Sequence, residues 1–175
     1  MPSTRRRAAA AAPPPPPPPA TEVREPSVAY RLPHRGPVLA DSGPLIALFN
    51  GADRWHAPVL AWLRAHPAAT LVSTWCVATE VCALLARRIH NDCALDFLRW
   101  VQRGGLTLDR AADGSLTEVL RISERFASLP FDLADASVAE AAARLKIRHL
   151  LSIDADFDVY RDRAGRPLVN LLARR

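Results

Sequence analysis

Residues 131–154 read FDLADASVAEAAARLKIRHLLSID, and two structural periods follow one another within them. Over 132–145 small and apolar residues recur at helical spacing, with Asp132 placed to cap the start, while 149–153 is a short apolar run that ends at Asp154. A helix with a face of small residues packs closely on a sheet, so this stretch predicts a helix delivered straight into a buried strand. The same alternation extends outward from it. A strand is expected at 38–40, ending at Asp41, followed by a helix at 44–49 with Ser42 as its N-cap. Helices at about 55–66, 75–89, 92–101 and 114–127 and strands at about 70–72 and 106–108 complete the pattern, with a last edge strand at 168–172. Asp92 is read as the cap of the fourth helix, and Gly104-Gly105 as its stop. Strands that alternate with helices in this way predict an α/β fold, a parallel central sheet with right-handed crossovers and helices on both faces.

The chain has 175 residues, one domain's worth, and a net charge of +5 that is unevenly placed. Residues 1–37 hold six arginines, two glutamates, an alanine run and seven consecutive prolines, and carry four of the five charges. This segment is expected to be a disordered Ala/Pro/Arg-rich tail, with 38–175 as the folded domain. It reads as an unselected leader or an extended gene start, or else as a proline-rich interaction arm. Because the remainder is nearly neutral, isoelectric point alone gives no argument for nucleic acid. Cys76, Cys82 and Cys93 form no CxxC pair and point to a reducing compartment, the cytoplasm. Apolar stretches fall well short of the ~18–20 residues that a membrane span requires.

Acidic residues carry the chemical signal. Asp41 and Asp154 each follow an apolar strand, at the edge where parallel sheets bind ligands, although each also suits an ordinary turn or cap. Glu80 lies in a helix beside Val81, Leu84 and Leu85, at the margin of the buried face, where an acid is costly unless it meets solvent, a cation or a partner. Asp135 fits a capping box with Asp132, or a position aimed at the strand edge. Asp154, Asp156 and Asp158 alternate in a loop or short helix anchored by Phe157, with Arg161 and Arg163 available as salt-bridge partners. Four carboxylates from separated segments, with no paired histidine or cysteine spacing, suit a hard cation, Mg²⁺ or Mn²⁺ rather than zinc. Such ions commonly serve phosphoryl chemistry. With those four acids set aside as cation-bound, the rest of the folded part is basic enough to hold a phosphate backbone.

VLADSGPLIALFN, ATEVCALL, DLADASVAEAAARL and LLSIDADFDVYR together resemble the PIN-domain family, in particular the VapC-like toxins of toxin–antitoxin pairs. The resemblance runs over about residues 38–172, and the order and spacing of the four motifs make it specific. It implies a three-layer, Rossmann-like PIN domain that acts as a Mg²⁺- or Mn²⁺-dependent endoribonuclease. It further implies an RNA substrate, a cognate antitoxin, and a homodimer or toxin–antitoxin hetero-oligomer. Asp41, Glu80, Asp135 and Asp154 match the family's catalytic, metal-holding acids, Asp132 and Asp156 its auxiliary acids, and Ser42 the polar residue after the first acid. Two other readings remain: a PIN-fold binding module without catalysis, and a phosphatase with Asp41 as nucleophile. Trp55, Trp62, Phe97 and Trp100 suit either a dimer patch or the core.

Overall fold

β1 (Gly36–Ala40), β2 (Ala69–Thr74), β3 (Thr107–Asp109), β4 (His149–Leu151) and β5 (Val169–Asn170) form one sheet in the order β3-β2-β1-β4-β5, with every pair parallel. These come from a computed structural model that describes residues 33–129 and 131–172. Residues 1–32 of the expected tail lie outside the described residues. The strands are joined by α1 (Ser42–Leu48), α2 (His56–Ala65), α3 (Trp75–Arg88), α4 (Asn91–Gln102), α5 (Ser115–Arg125), α6 (Leu133–Leu145) and α7 (Asp156–Val159). Strand order steps outward from β1 to β3, then returns to β4 on the other side of β1. Right-handed crossovers therefore set α1–α4 on one face and α5–α6 on the other, and leave a switch point between β1 and β4.

Burial follows from that layering. Val38, Leu39 and Ala40 of the central strand are wholly buried, as a strand covered on both faces requires. On α6, Ala136, Val138, Ala139 and Ala141 are equally buried, and their small side chains let the helix lie close to the sheet. Phe97 and Trp62 are core residues, while Trp55 and Trp100 pack partly buried against the same core, so these aromatics are not a surface patch. The three cysteines are free and half-buried rather than fully enclosed.

Several boundaries differ from the sequence reading. β1 begins at Gly36, because Gly36 and Pro37 already pair with Ala69 and Thr70. Asp41, not Ser42, is the N-cap of α1, since its carboxylate accepts the Ser42 N–H. His90 rather than Asp92 caps α4: its ring nitrogen accepts the Asp92 N–H, and Asp92 sits in the first turn where it complements the helix dipole. α7 is the short helix expected around Phe157, whose side chain is buried.

Arg144 ties α6 to its surroundings. Its guanidinium donates to Glu140 at 2.8 Å and pairs with both oxygens of Asp109 at the end of β3, while Glu140 also accepts from Ser115 of α5 at 2.8 Å. Glu140 is buried, so loss of Arg144 leaves its charge without compensation. Arg144→Met is expected to destabilise the fold by about 2–4 kcal/mol, read as a lower midpoint in urea, whereas Arg99→Met at the exposed Asp96 pair should change stability by less than ~1 kcal/mol.

Candidate active site

Asp41 stands where the chain leaves β1 and enters α1, at the switch point, and only 3% of it is exposed. Its Oδ1 accepts the Ser42 N–H at 2.6 Å, and its Oδ2 accepts the Ser152 hydroxyl at 2.9 Å. Ser152 is the first residue beyond β4 and is fully buried, and the same Oγ accepts the Asp154 N–H at 2.9 Å. One hydroxyl thus links the acid at the end of β1 to the acid beyond β4. The adjacent parallel strands bring the two together, with Ala40 opposite Leu151 and the Asp41 N–H donating to the Leu151 carbonyl at 3.0 Å. Gly43 belongs to this arrangement, since a Cβ there would stand 2.5 Å from the Ile153 side chain.

Asp135 arrives from α6. Asp132 accepts the N–H groups of Ala134 and Asp135, and Asp135 accepts the Asp132 N–H at 3.1 Å, so a reciprocal capping box sets the direction of this first turn. The turn is seated by Thr74 at the end of β2, whose Oγ1 lies 2.7 Å from Ser137 Oγ and also accepts the Val77 N–H as the cap of α3. Glu80 follows on α3, half-buried. Asp156 opens α7, where its N–H donates to Asp154 Oδ1 at 2.9 Å.

Electrostatics shows which of these acids feel one another. Burial, with smaller contributions from the charges of Glu80 and Asp154, pushes the Asp41 carboxyl up to about 6, against the opposing hydrogen bonds from Ser152 and Ser42. Burial and then the Asp41 charge push Asp135 to about 7, with Asp132 and Asp154 adding to the rise. Asp156 is also raised, by burial and then by Asp154. The charges of Glu80 and Asp154 thus reach Asp41, and those of Asp41, Asp132 and Asp154 reach Asp135, while Ser42 contributes a backbone N–H to Asp41. Arg161 and Arg163, expected near the late acids, turn elsewhere: Arg161 donates to the carbonyls of Asp158 and Tyr160, and Arg163 pairs with Glu118.

Clustered carboxylates that raise one another's pKa favour protons or cations. The donors are all hard oxygens, which suits Mg²⁺ or Mn²⁺. Among the described residues, no group of three or more His, Cys, Asp or Glu side chains is drawn together closely enough to hold a metal ion. The donor set fits a hard cation in its chemistry. Asp41, with both oxygens engaged and its side chain enclosed, is not presented as a phosphatase nucleophile.

Sequence reasoning missed Ser152, Thr74 and Ser137, whose hydroxyls orient the acids. A hydroxyl two residues before Asp154 in an otherwise apolar run was the available signal for Ser152. It also missed Trp75, which is 59% exposed at the start of α3.

The fold agrees with comparisons to known proteins. Ribonuclease VapC26 of Mycobacterium tuberculosis is 28% identical over 117 residues, spanning 67% of this chain and 86% of VapC26. Among solved structures, that of M. tuberculosis VapC20, a sarcin-ricin loop cleaving toxin, superposes with a TM-score of 0.65 at 18% identity, over 75% of this chain and 98% of VapC20. No protein-family model matches the chain. The chain is thus similar to VapC26 in sequence and to VapC20 in fold.

The raised carboxyls make metal-free stability fall as pH rises. Below the unfolded value of 3.8 both states hold these protons, while between about 4 and 7 the folded state binds more of them, so ionisation progressively destabilises it. For Asp41 the difference between 3.8 and about 6 corresponds to ~3 kcal/mol disfavouring its ionised form in the fold. Without added metal, the melting temperature should drop from pH 4.5 to pH 7.5, and Asp135→Asn should flatten that decline; an unchanged slope would contradict the coupling.

Proposed function

We propose that the protein is a VapC-like endoribonuclease that cuts RNA phosphodiester bonds with a divalent cation, as the toxin of a toxin–antitoxin module. The supporting observation is the buried Asp41 carboxylate at the switch point, which feels the charges of Glu80 and Asp154 and raises the carboxyl of Asp135, in a sheet similar to that of VapC20. Asp41 and Asp135 hold the principal Mg²⁺ or Mn²⁺, and Glu80 and Asp154 complete that site or a second one. Held there, the cation supplies an activated water and offsets charge that develops on the phosphate. The chain's own groups set when it binds: Asp135, with its carboxyl near 7, gives up its proton as a cation enters, so affinity rises with pH. Ser152 and the Ser42 N–H hold Asp41 in one orientation, and the Asp132 capping box does the same for Asp135. Arg110, exposed just past the end of β3 and in no ion pair among the described residues, is offered to the phosphate backbone.

The expected place of action is the cytoplasm, with a cognate antitoxin as regulator; among the described residues no helix is long and apolar enough to cross a membrane. Self-association has a candidate face. Trp75, Leu116 and Leu133, the last two 77% and 58% exposed, border a cavity of about 200 Å³ floored by Thr74, Val119 and Ser137. An apolar face of this kind suits a homodimer or the antitoxin.

Asp41→Asn should lose more than ~100-fold in RNA cleavage and abolish growth arrest while remaining folded. Mn²⁺ should raise the melting temperature of the wild type, more at pH 8 than at pH 6, and leave that of an Asp41→Asn/Asp135→Asn variant unmoved. Absence of any metal effect would favour a PIN-fold binding module instead. Trp75→Glu should lower the mass measured by light scattering if the apolar face forms a homodimer.

A further inference from the structure

Ser152 bonds Asp41 and Asp154 through one hydroxyl, and something must hold Ser152 itself, because β4 ends one residue before it. β5 is an edge strand of two residues, and its last pairing with β4 sets Asn170 opposite Leu150. The backbone ladder reaches the Leu171 N–H, which donates to the Leu150 carbonyl at 2.8 Å. Beyond it, the Asn170 side chain takes over. Its Oδ1 accepts the Ser152 N–H at 3.3 Å and its Nδ2 donates to the Ser152 carbonyl at 2.7 Å. A carboxamide offers the same donor and acceptor as a peptide group, so it adds one further rung to the sheet where the backbone cannot. Oδ1 also accepts the Leu172 N–H at 3.1 Å. A flipped amide would set its NH₂ against two N–H donors, and the three bonds therefore agree on a single orientation.

We propose that Asn170 is a positioning residue for the carboxylate site: its amide fixes the Ser152 backbone and, through Ser152 Oγ, the placement of Asp41 relative to Asp154. The chain of contacts runs from an edge strand to the switch point without touching substrate. Ser152 Oγ must meet Asp41 Oδ2 and the Asp154 N–H at the same time, both at 2.9 Å, and this is possible only while its backbone is held. A residue at 170 without both a donor and an acceptor leaves the Ser152 backbone, one residue beyond β4, without that rung. The catalytic consequence rests on the nuclease reading, whereas the structural one rests on the hydrogen bonds alone.

The test uses the full chain as wild type, Asn170→Ala, Ser152→Ala and the double variant, with Asn170→Asp, which keeps shape and acceptors but loses the donor, in case the alanine variant does not fold. Asn170→Ala and Ser152→Ala should each lower kcat for RNA cleavage by ~10–100-fold with KM unchanged. The double variant should fall no further than Ser152→Ala alone, since both act through one contact. By NMR, exchange of the Asp154 amide should accelerate alike in Asn170→Ala and Ser152→Ala while the β2 amides stay protected. Additive losses, or an Asp154 amide as protected in Asn170→Ala as in the wild type, would overturn the proposal. If the wild type cleaves no RNA, the nuclease reading fails, and amide exchange alone then decides the positioning role.

Discussion

A carboxylate buried at the meeting of two parallel strands is the constraint on which this structure turns. Asp41 is enclosed and yet placed among other acids, an arrangement that disfavours its own charge. Two hydrogen bonds, from Ser152 and the Ser42 N–H, keep it oriented, and burial, with smaller contributions from Glu80 and Asp154, keeps its proton affinity high. Such a site costs stability in the absence of a counter-charge and gains from a cation. Strand order and the capping of α1 set Asp41 beside the segment that carries Asp154, and the capping box and Thr74 seat the first turn of α6 that carries Asp135.

Elsewhere the molecule treats charge differently. Arg144 is matched by Asp109 and Glu140, Glu118 by Arg121 and Arg163, and Asp162 by Arg166. Among the described residues, the exposed Arg64, Arg87, Arg88, Arg103 and Arg110 are in none of these pairs, so part of the basic excess stays at the surface. Among the described residues no such arginine pair is formed with Asp41 or Asp135, and burial is the main cause of their raised carboxyls. Of the exposed arginines outside these pairs, Arg110 lies one residue past the end of β3.

Much of this was legible in the sequence because its signals were local. Apolar runs ending in Asp41 and Asp154 mark the carboxyl ends of β1 and β4, and the small face of 133–145 marks the helix that packs on them. Asp132 and Asp135 announced their capping box by spacing alone. What escaped the sequence depends on neighbours across the sheet. Ser152 and Asn170 lie 18 positions apart and become partners only when β5 pairs with β4, and Thr74 meets Ser137 only when α6 crosses β2. The aromatics show the same limit: periodicity could not say that Trp62 and Phe97 face the core, or that Trp75, at the first turn of α3, faces out.

The central proposal is that Asp41 and Asp135 hold a hard cation, with Glu80 and Asp154 completing that site or a second one. Anomalous diffraction from crystals grown with Mn²⁺ at pH 7.5 tests it most directly. The account predicts an anomalous peak within coordination distance of Asp41 and Asp135, with Glu80 or Asp154 bound directly or through water. Crystals with Mn²⁺ in the mother liquor but no peak among these four carboxylates, or a peak held by other residues, would contradict it.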